Sequence, residues 1–150
     1  MLRDDINAAL KEAMKAHDAS RVSTLRLVNA ALKNADIEAR GQGKPALGDA
    51  DVVAVLQKMV KQRQESVELY EKGGRAELAA QERAEIEVIA SYLPKQLSPE
   101  EAEAAVKAVI AEIGAHGMKD MGKVIAVLRE RHGGQLDMGK ASGLVKGLLT

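Results

Sequence analysis

The chain has no cysteine, no tryptophan and no phenylalanine, and only two tyrosines among its 150 residues. The first absence removes disulfides, thiolate metal ligands and a cysteine nucleophile together, so no thiol chemistry is open to it. The scarcity of aromatic rings removes the platforms on which unpaired bases stack. It also leaves Ala, Leu, Val, Ile and Met to fill the interior, and Ala, Leu and Met are strong helix formers. Excess charge is missing too, because 22 Lys and Arg cancel 22 Asp and Glu. No overall field gathers or repels nucleic acid, and any electrostatic site has to come from local segregation of charge. No apolar run approaches the roughly 18 residues of a membrane span, and Asp4 and Asp5 interrupt the start of the chain where a secretory segment would need an apolar stretch. A cytoplasmic protein with no membrane partner is expected.

What the chain does have is apolar residues at threes and fours, the spacing of one helix face. Ile6, Leu10, Met14 and His17 predict a first helix, with Asp4 and Asp5 at its positive end. Leu25, Val28, Leu32 and Ala35 predict a second, capped by Asp18 or Ser20. Ala39 to Asp49 combines three glycines with Pro45 and reads as a loop. Asp49 is expected to cap a long third helix carrying Val52, Leu56, Met59, Arg63, Val67 and Tyr70, ended by Gly73 and Gly74. A fourth helix carries Leu78, Ile86, Ile89 and Leu93 and stops near Pro94. Ser98-Pro99-Glu100-Glu101 is a start signal, with a capping hydroxyl, proline at the first helical position and a carboxylate placed to reach back. That helix runs to about Ile113, where Gly114 ends it. Another surrounds Met121, Val124, Ile125 and Leu128 until Gly133-Gly134, and Asp137 opens the last. The fold class is therefore all-α: an N-terminal four-helix domain over 1–94, then a small C-terminal three-helix domain over 95–150. Neither a strand signal nor a helical repeat is found.

Charge segregates within the C-terminal part. Residues 98–116 sum to −3 and residues 117–150 to +3. Lys119, Lys123, Arg129, Arg131, Lys140 and Lys146 could meet phosphates, with His116 and His132 adding charge at low pH; a solvated helix surface would account for the same residues. Gly139, Gly143 and Gly147 recur on one face of the last helix, where each costs about 1 kcal/mol against Ala. Either tight packing of a neighbouring helix or close approach by a sugar–phosphate backbone could offset that. The run from Gly134 to Lys140 imitates a phosphate-binding loop. Ala141 stands where Ser or Thr would hold magnesium, however, and no strand precedes it, so nucleotide hydrolysis is rejected. His17, His116 and His132 lack metal-ligand spacing, and no metal or cofactor is expected. Ser20, Ser23 and Thr24 read as caps rather than nucleophiles. Arg21 and Arg26 flank the start of the second helix and form a candidate secondary basic site, with an ordinary surface position as the default. Arg63 falls on an apolar register, where an arginine needs a partner that Glu82, Glu85 or Glu87 can supply.

Three blocks in order, RVSTLRLVNAALKNADIE, KQRQESVELYEKGGRAELAAQERAEIEVIASYLPKQLS and MGKVIAVLRERHGGQLDMGKASGLVKGLL, resemble the GatB/YqeY family along essentially the whole chain. The middle block is the most specific: Arg-Gln-Glu-Ser, a Tyr before Gly-Gly-Arg, a Glu-rich helix, then Tyr-Leu-Pro. The resemblance implies a small cytosolic bacterial protein. It also implies a C-terminal part similar to the tail of the B subunit of the glutamine-dependent aminoacyl-tRNA amidotransferase, a tail that engages tRNA. Carried over by residue, it points to Lys123, Gly134, Gly139, Lys140, Gly143 and Lys146. Nothing here resembles that enzyme's catalytic cradle or its glutaminase, so relatedness to a carbon–nitrogen ligase with glutamine as amide donor implies no independent activity. RERHGGQLDMGKAS also surrounds its glycines with fewer basic side chains than tight tRNA binding calls for. The resulting expectation is a tRNA-binding or amidotransferase-related accessory protein whose partner is tRNA or a tRNA-charging or amidating enzyme. Two alternatives stand beside it: a scaffold that docks a helix, and a component of a glutamine-dependent ligase. The oligomeric state is left open.

Overall fold

In the computed structural model, which describes Met1 to Thr150, three of the helices begin at a capping side chain, Asp18, Ser98 or Asp137. The helices are α1 (Leu2–Lys15), α2 (Ala19–Gly41), α3 (Asp49–Lys72), α4 (Ala76–Ala90), α5 (Pro99–Ile113), α6 (Met121–His132) and α7 (Met138–Leu149), with one 3-10 turn, Met118–Asp120, leading into α6. No strand is present, and the all-α class of four helices followed by three holds. By its contacts the chain divides into two compact units, Met1–Leu93 and Pro94–Thr150.

In the first unit the Asp18 carboxylate accepts the Arg21 N–H at 3.1 Å and starts α2. α2 then continues through Ala39, Arg40 and Gly41, so the connecting loop begins two residues after Arg40 rather than at Ala39. Ala and Arg favour helix, and a glycine in the last turn costs little there. The start of α3 also differs from expectation. Gly48 is the cap residue, and Asp51 rather than Asp49 reaches back to its N–H, at 3.0 Å. Asp49 instead accepts the Leu2 N–H at 3.2 Å and ties α1 to α3. On α1 the buried residues are Ile6 and Ala13, whereas Met14 is 48% exposed and His17 lies beyond the helix at φ +56°. One residue turns a helix by about 100°. The small Ala13 therefore takes the close approach that the spacing had assigned to Met14.

The core of this unit is Ile6, Leu25, Val28, Leu32, Val52, Leu56, Met59 and Ile89 with Ala13. α3 and α4 form a hairpin that continues past it. Beyond Met59 and Ile89 only Val67 and Ala79 are buried, and charge fills the remaining gap. Arg63 Nε donates to Glu85 at 3.0 Å and lies 4.0 Å from Glu82, while Nη1 donates to the Met59 carbonyl at 3.2 Å. All three of these charged side chains are largely withdrawn from solvent, so the apolar register did signal a partnered arginine. Glu87, the third candidate, is exposed.

In the second unit Ser98 Oγ accepts the Glu101 N–H and Glu101 Oε1 accepts the Ser98 N–H, each at 3.1 Å, with Pro99 at the first helical position. Gly114, at φ +64°, ends α5 in the left-handed conformation that glycine adopts without strain. The Asp137 carboxylate accepts the Gly139 N–H at 2.9 Å and the Lys140 N–H at 3.4 Å to open α7. A separate core of Val106, Val109, Val124, Leu128, Leu136, Ala141, Val145 and Leu149, with Ala102 and Ala115, holds these three helices together.

Candidate nucleic-acid interface

On α7 the buried residues Ala141, Val145 and Leu149 are spaced by four and define the inner face. At about 100° per residue, Gly143 points away from that face, Gly139 and Gly147 lie one turn to either side, and Lys140 and Lys146 flank Gly143 by about 60° each. All five are exposed. A Cβ built at Gly143 or Gly147 would meet nothing within 4 Å, and neither residue has a positive φ. Neither the backbone nor the packing of the chain on itself therefore calls for glycine at these two positions. The helix displays a bare ridge bordered by two lysines.

α6 repeats part of the arrangement. Asp120-Met121-Gly122-Lys123 recurs as Asp137-Met138-Gly139-Lys140, and the register then runs on. Val124 and Leu128 are buried as Ala141 and Val145 are, Ala126 occupies the outward place of Gly143, and Arg129 that of Lys146. A Cβ at Gly122 likewise meets open space. This is a four-residue echo and not a repeat of the whole helix: Glu130 stands where Gly147 does, and Asp120 makes no side-chain cap where Asp137 does. The echo is short, and it lies among helices that are all periodic, so only the twice-written Asp-Met-Gly-Lys betrays it. Gly122 and Ala126 are the members of the outward face that residue-type reasoning missed.

The cations separate into two groups. Lys119, Arg129, Lys140 and Lys146 are exposed and form no ion pair. Lys123 lies 3.9 Å from Asp120 with its side chain in solvent, a contact worth little. Arg131 departs from the expected set. Its guanidinium grips Glu112 of α5 with two hydrogen bonds of 2.6 and 2.7 Å and holds that carboxyl below its ordinary range. It braces α5 against α6 rather than awaiting a ligand. Gly134 departs as well: half-buried in the turn between α6 and α7, it offers its carbonyl to the Gln96 side chain at 2.7 Å and lies off the ridge. Of the two histidines, His132 places Nδ1 at 3.0 Å from the Gln135 amide oxygen, and His116 donates its backbone N–H to Asp120 at 2.8 Å.

Arg21 and Arg26 do not form one basic site. Arg21 is half-buried and donates to the Tyr92 hydroxyl at 2.9 Å, whereas Arg26 is exposed and, five residues on, lies about 140° around the helix. The Tyr of Tyr-Leu-Pro thus anchors the start of α2 to the end of α4.

No helix is long and apolar enough to cross a membrane. Among curated relatives, the "Altered inheritance of mitochondria protein 41, mitochondrial" of Lachancea thermotolerans is 35% identical over 98 residues, covering 65% of this chain and 51% of that protein. The protein of the same name from Eremothecium gossypii is 32% identical over 120 residues, covering 78% of this chain and 64% of that one. An uncharacterized protein of Schizosaccharomyces pombe is 30% identical over 93 residues, 62% of this chain and 72% of its own length. The chain thus spans about half of the first relative and under two thirds of the second. A model of the Yqey-like protein family matches residues 3–149, and on that near-complete match the chain belongs to the Yqey-like family.

Proposed function

We propose that this chain is a binding module without independent catalysis, and that the outward faces of α6 and α7 engage the sugar–phosphate backbone of a structured RNA. Transfer RNA is the RNA that the family resemblance points to, and the module would serve an enzyme that charges or amidates it. The observation that carries this reading is the exposed ridge of Gly139, Gly143 and Gly147 between Lys140 and Lys146. Each interior glycine costs a helix about 1 kcal/mol, and the fold returns nothing for Gly143 and Gly147, so the offset comes from a ligand that approaches the helix closely. Lysines at both borders favour an anionic ligand over an apolar helix, whose docking would desolvate those ammonium groups. With two tyrosines as its only aromatics, the chain offers little on which to stack bases, and contacts to phosphates position a ligand without reading its sequence. The same chemistry would serve in a bacterial cytosol and in the organelle for which the fungal relatives are named. Amide transfer itself would belong to a partner.

Titration of deacylated and misacylated tRNA at several salt concentrations tests the reading. Four unpaired cations each meeting a phosphate of a duplex would give a slope of log affinity on log salt of about −3 to −4. The double variant Gly143→Ala, Gly147→Ala should bind at least about tenfold more weakly while folding more stably, since the added methyl groups occupy the place of the ligand. Absence of binding at low salt would overturn the proposal.

A further inference from the structure

α2 carries an inner apolar stripe that the N-terminal core uses, and a second, mixed seam around Leu27, Ala30 and Ile37 that it does not. Leu25, Val28, Leu32, Ala35 and Ala39 form the inner stripe. On the far side Ser23, Leu27, Ala30, Asn34, Ile37 and Gly41 are spaced four, three, four, three, four, the interval of a helix–helix seam. Leu27 is 44% exposed and Ile37 58%, and every other member of this outer seam is exposed as well. It runs about 27 Å along the helix.

The borders of the seam are unlike one another. Along one edge stand Arg26, Lys33 and Arg40, seven residues apart, all exposed and none in an ion pair. Along the other, at the same interval, stand the buried Thr24, the half-buried Ala31 and the exposed Glu38. We infer that the outer face of α2 is a docking surface for a helix of another protein, one whose apolar seam is edged by Asp and Glu. Charge decides between this occupant and a second copy of the chain. An antiparallel self-pairing sets the cationic row against itself. A parallel one places Arg26 opposite Ala31 and Arg40 beyond the helix end, leaving Lys33 with Glu38 as the only complementary pair. An acidic edge answers all three cations at once. Asn34, polar in mid-seam, fixes the register of the partner, as a single seam asparagine does in coiled coils. The surface lies on the N-terminal unit and is independent of the RNA-binding proposal.

The test uses two labelled synthetic helical peptides with the same leucine seam and one central asparagine, edged throughout by Glu in one and by Lys in the other. Titrated with the full chain at low salt, the Glu peptide should bind at least about tenfold more tightly than the Lys peptide. Ile37→Glu should weaken it at least about tenfold, and the triple variant Arg26→Gln, Lys33→Gln, Arg40→Gln should erase the preference. These positions face solvent, so unchanged helix content by circular dichroism separates lost docking from lost folding, and tRNA affinity should not move in Ile37→Glu. Failure of the Glu peptide to bind, or binding indifferent to Ile37→Glu, overturns the inference. A sedimenting dimer that Ile37→Glu dissolves overturns it as well, by placing a second copy on this face.

Discussion

A methyl group added at Gly143 or Gly147 enters open space, whereas one added at Gly133 would sit 2.5 Å from the Arg129 carbonyl oxygen. The substitution Gly→Ala should therefore change sign within the C-terminal unit, about 0.5–1 kcal/mol more stable at 143 and at 147 and about 1 kcal/mol or more less stable at 133. Urea denaturation of the three single variants measures it. A second residue-scale consequence concerns Glu82. Burial first, and then neighbouring Glu85, raise its carboxyl above the ordinary range against the pull of Arg63, whose closer bond goes to Glu85. A raised carboxyl disfavours the folded state once it ionises, so its cost is absent at low pH and grows as pH rises through the folded-state value. Glu82→Gln should accordingly stabilise the protein at pH 7 and lose that advantage in acid, which denaturation midpoints at the two pH values resolve. The need of Arg63 for a partner was legible because an arginine on an apolar register cannot remain unpaired. Which glutamate answers was not, since that depends on how α4 is rotated against α3. The same limit explains Arg131: its type counts it among the cations, and only packing brings Glu112, from another helix, within reach of it.

Among the elements, α5 was read almost to the residue because every part of its signal is local. Ser98, Pro99 and Glu101 lie within one turn, and Gly114 supplies the left-handed stop. Ser98→Ala should remove about 1 kcal/mol of stability, seen as a lower denaturation midpoint of the C-terminal unit. α1 was misjudged by one position, Met14 for Ala13, because period alone does not say how closely a neighbouring helix approaches. The α3–α4 hairpin holds a different kind of information. Its inner half shares the N-terminal core, while its outer half is held by Val67, Ala79, the Arg63 cluster and an exposed ion pair between Arg83 and Glu71. Hydrogen exchange should therefore proceed faster in the amides of residues 64–84 than in those of 52–59 and 86–89, because local opening follows buried apolar contact. Equal protection in the two halves would contradict the assignment of stability to the inner half.

For the whole molecule, the balance of 22 bases against 22 acids hides the arrangement that matters. Replacing Lys119, Arg129, Lys140 and Lys146 together by Gln should flatten the salt dependence of tRNA binding by about 3 to 4 in slope, with denaturation midpoints little changed because none of the four is in an ion pair. Acid acts through other groups. Asp36 is held low by Arg3, Glu101 by the Ser98 cap, Glu112 by Arg131 and Asp120 by the His116 N–H. Stability from depressed carboxyls is present at neutral pH and lost as pH falls through their folded-state values, so unfolding should set in below the ordinary carboxylate range of about 4. Sequence alone determined the helical class, the caps at Ser98 and Asp137 and the glycine spacing of the last helix, because these depend on residues within a turn or two of one another. Only tertiary structure decided that the ridge faces outward, that Arg131 and Arg21 are already engaged, and that a second seam on α2 is left uncovered. The face a helix buries is chosen by its neighbours, and those neighbours are assembled from residues distant along the chain.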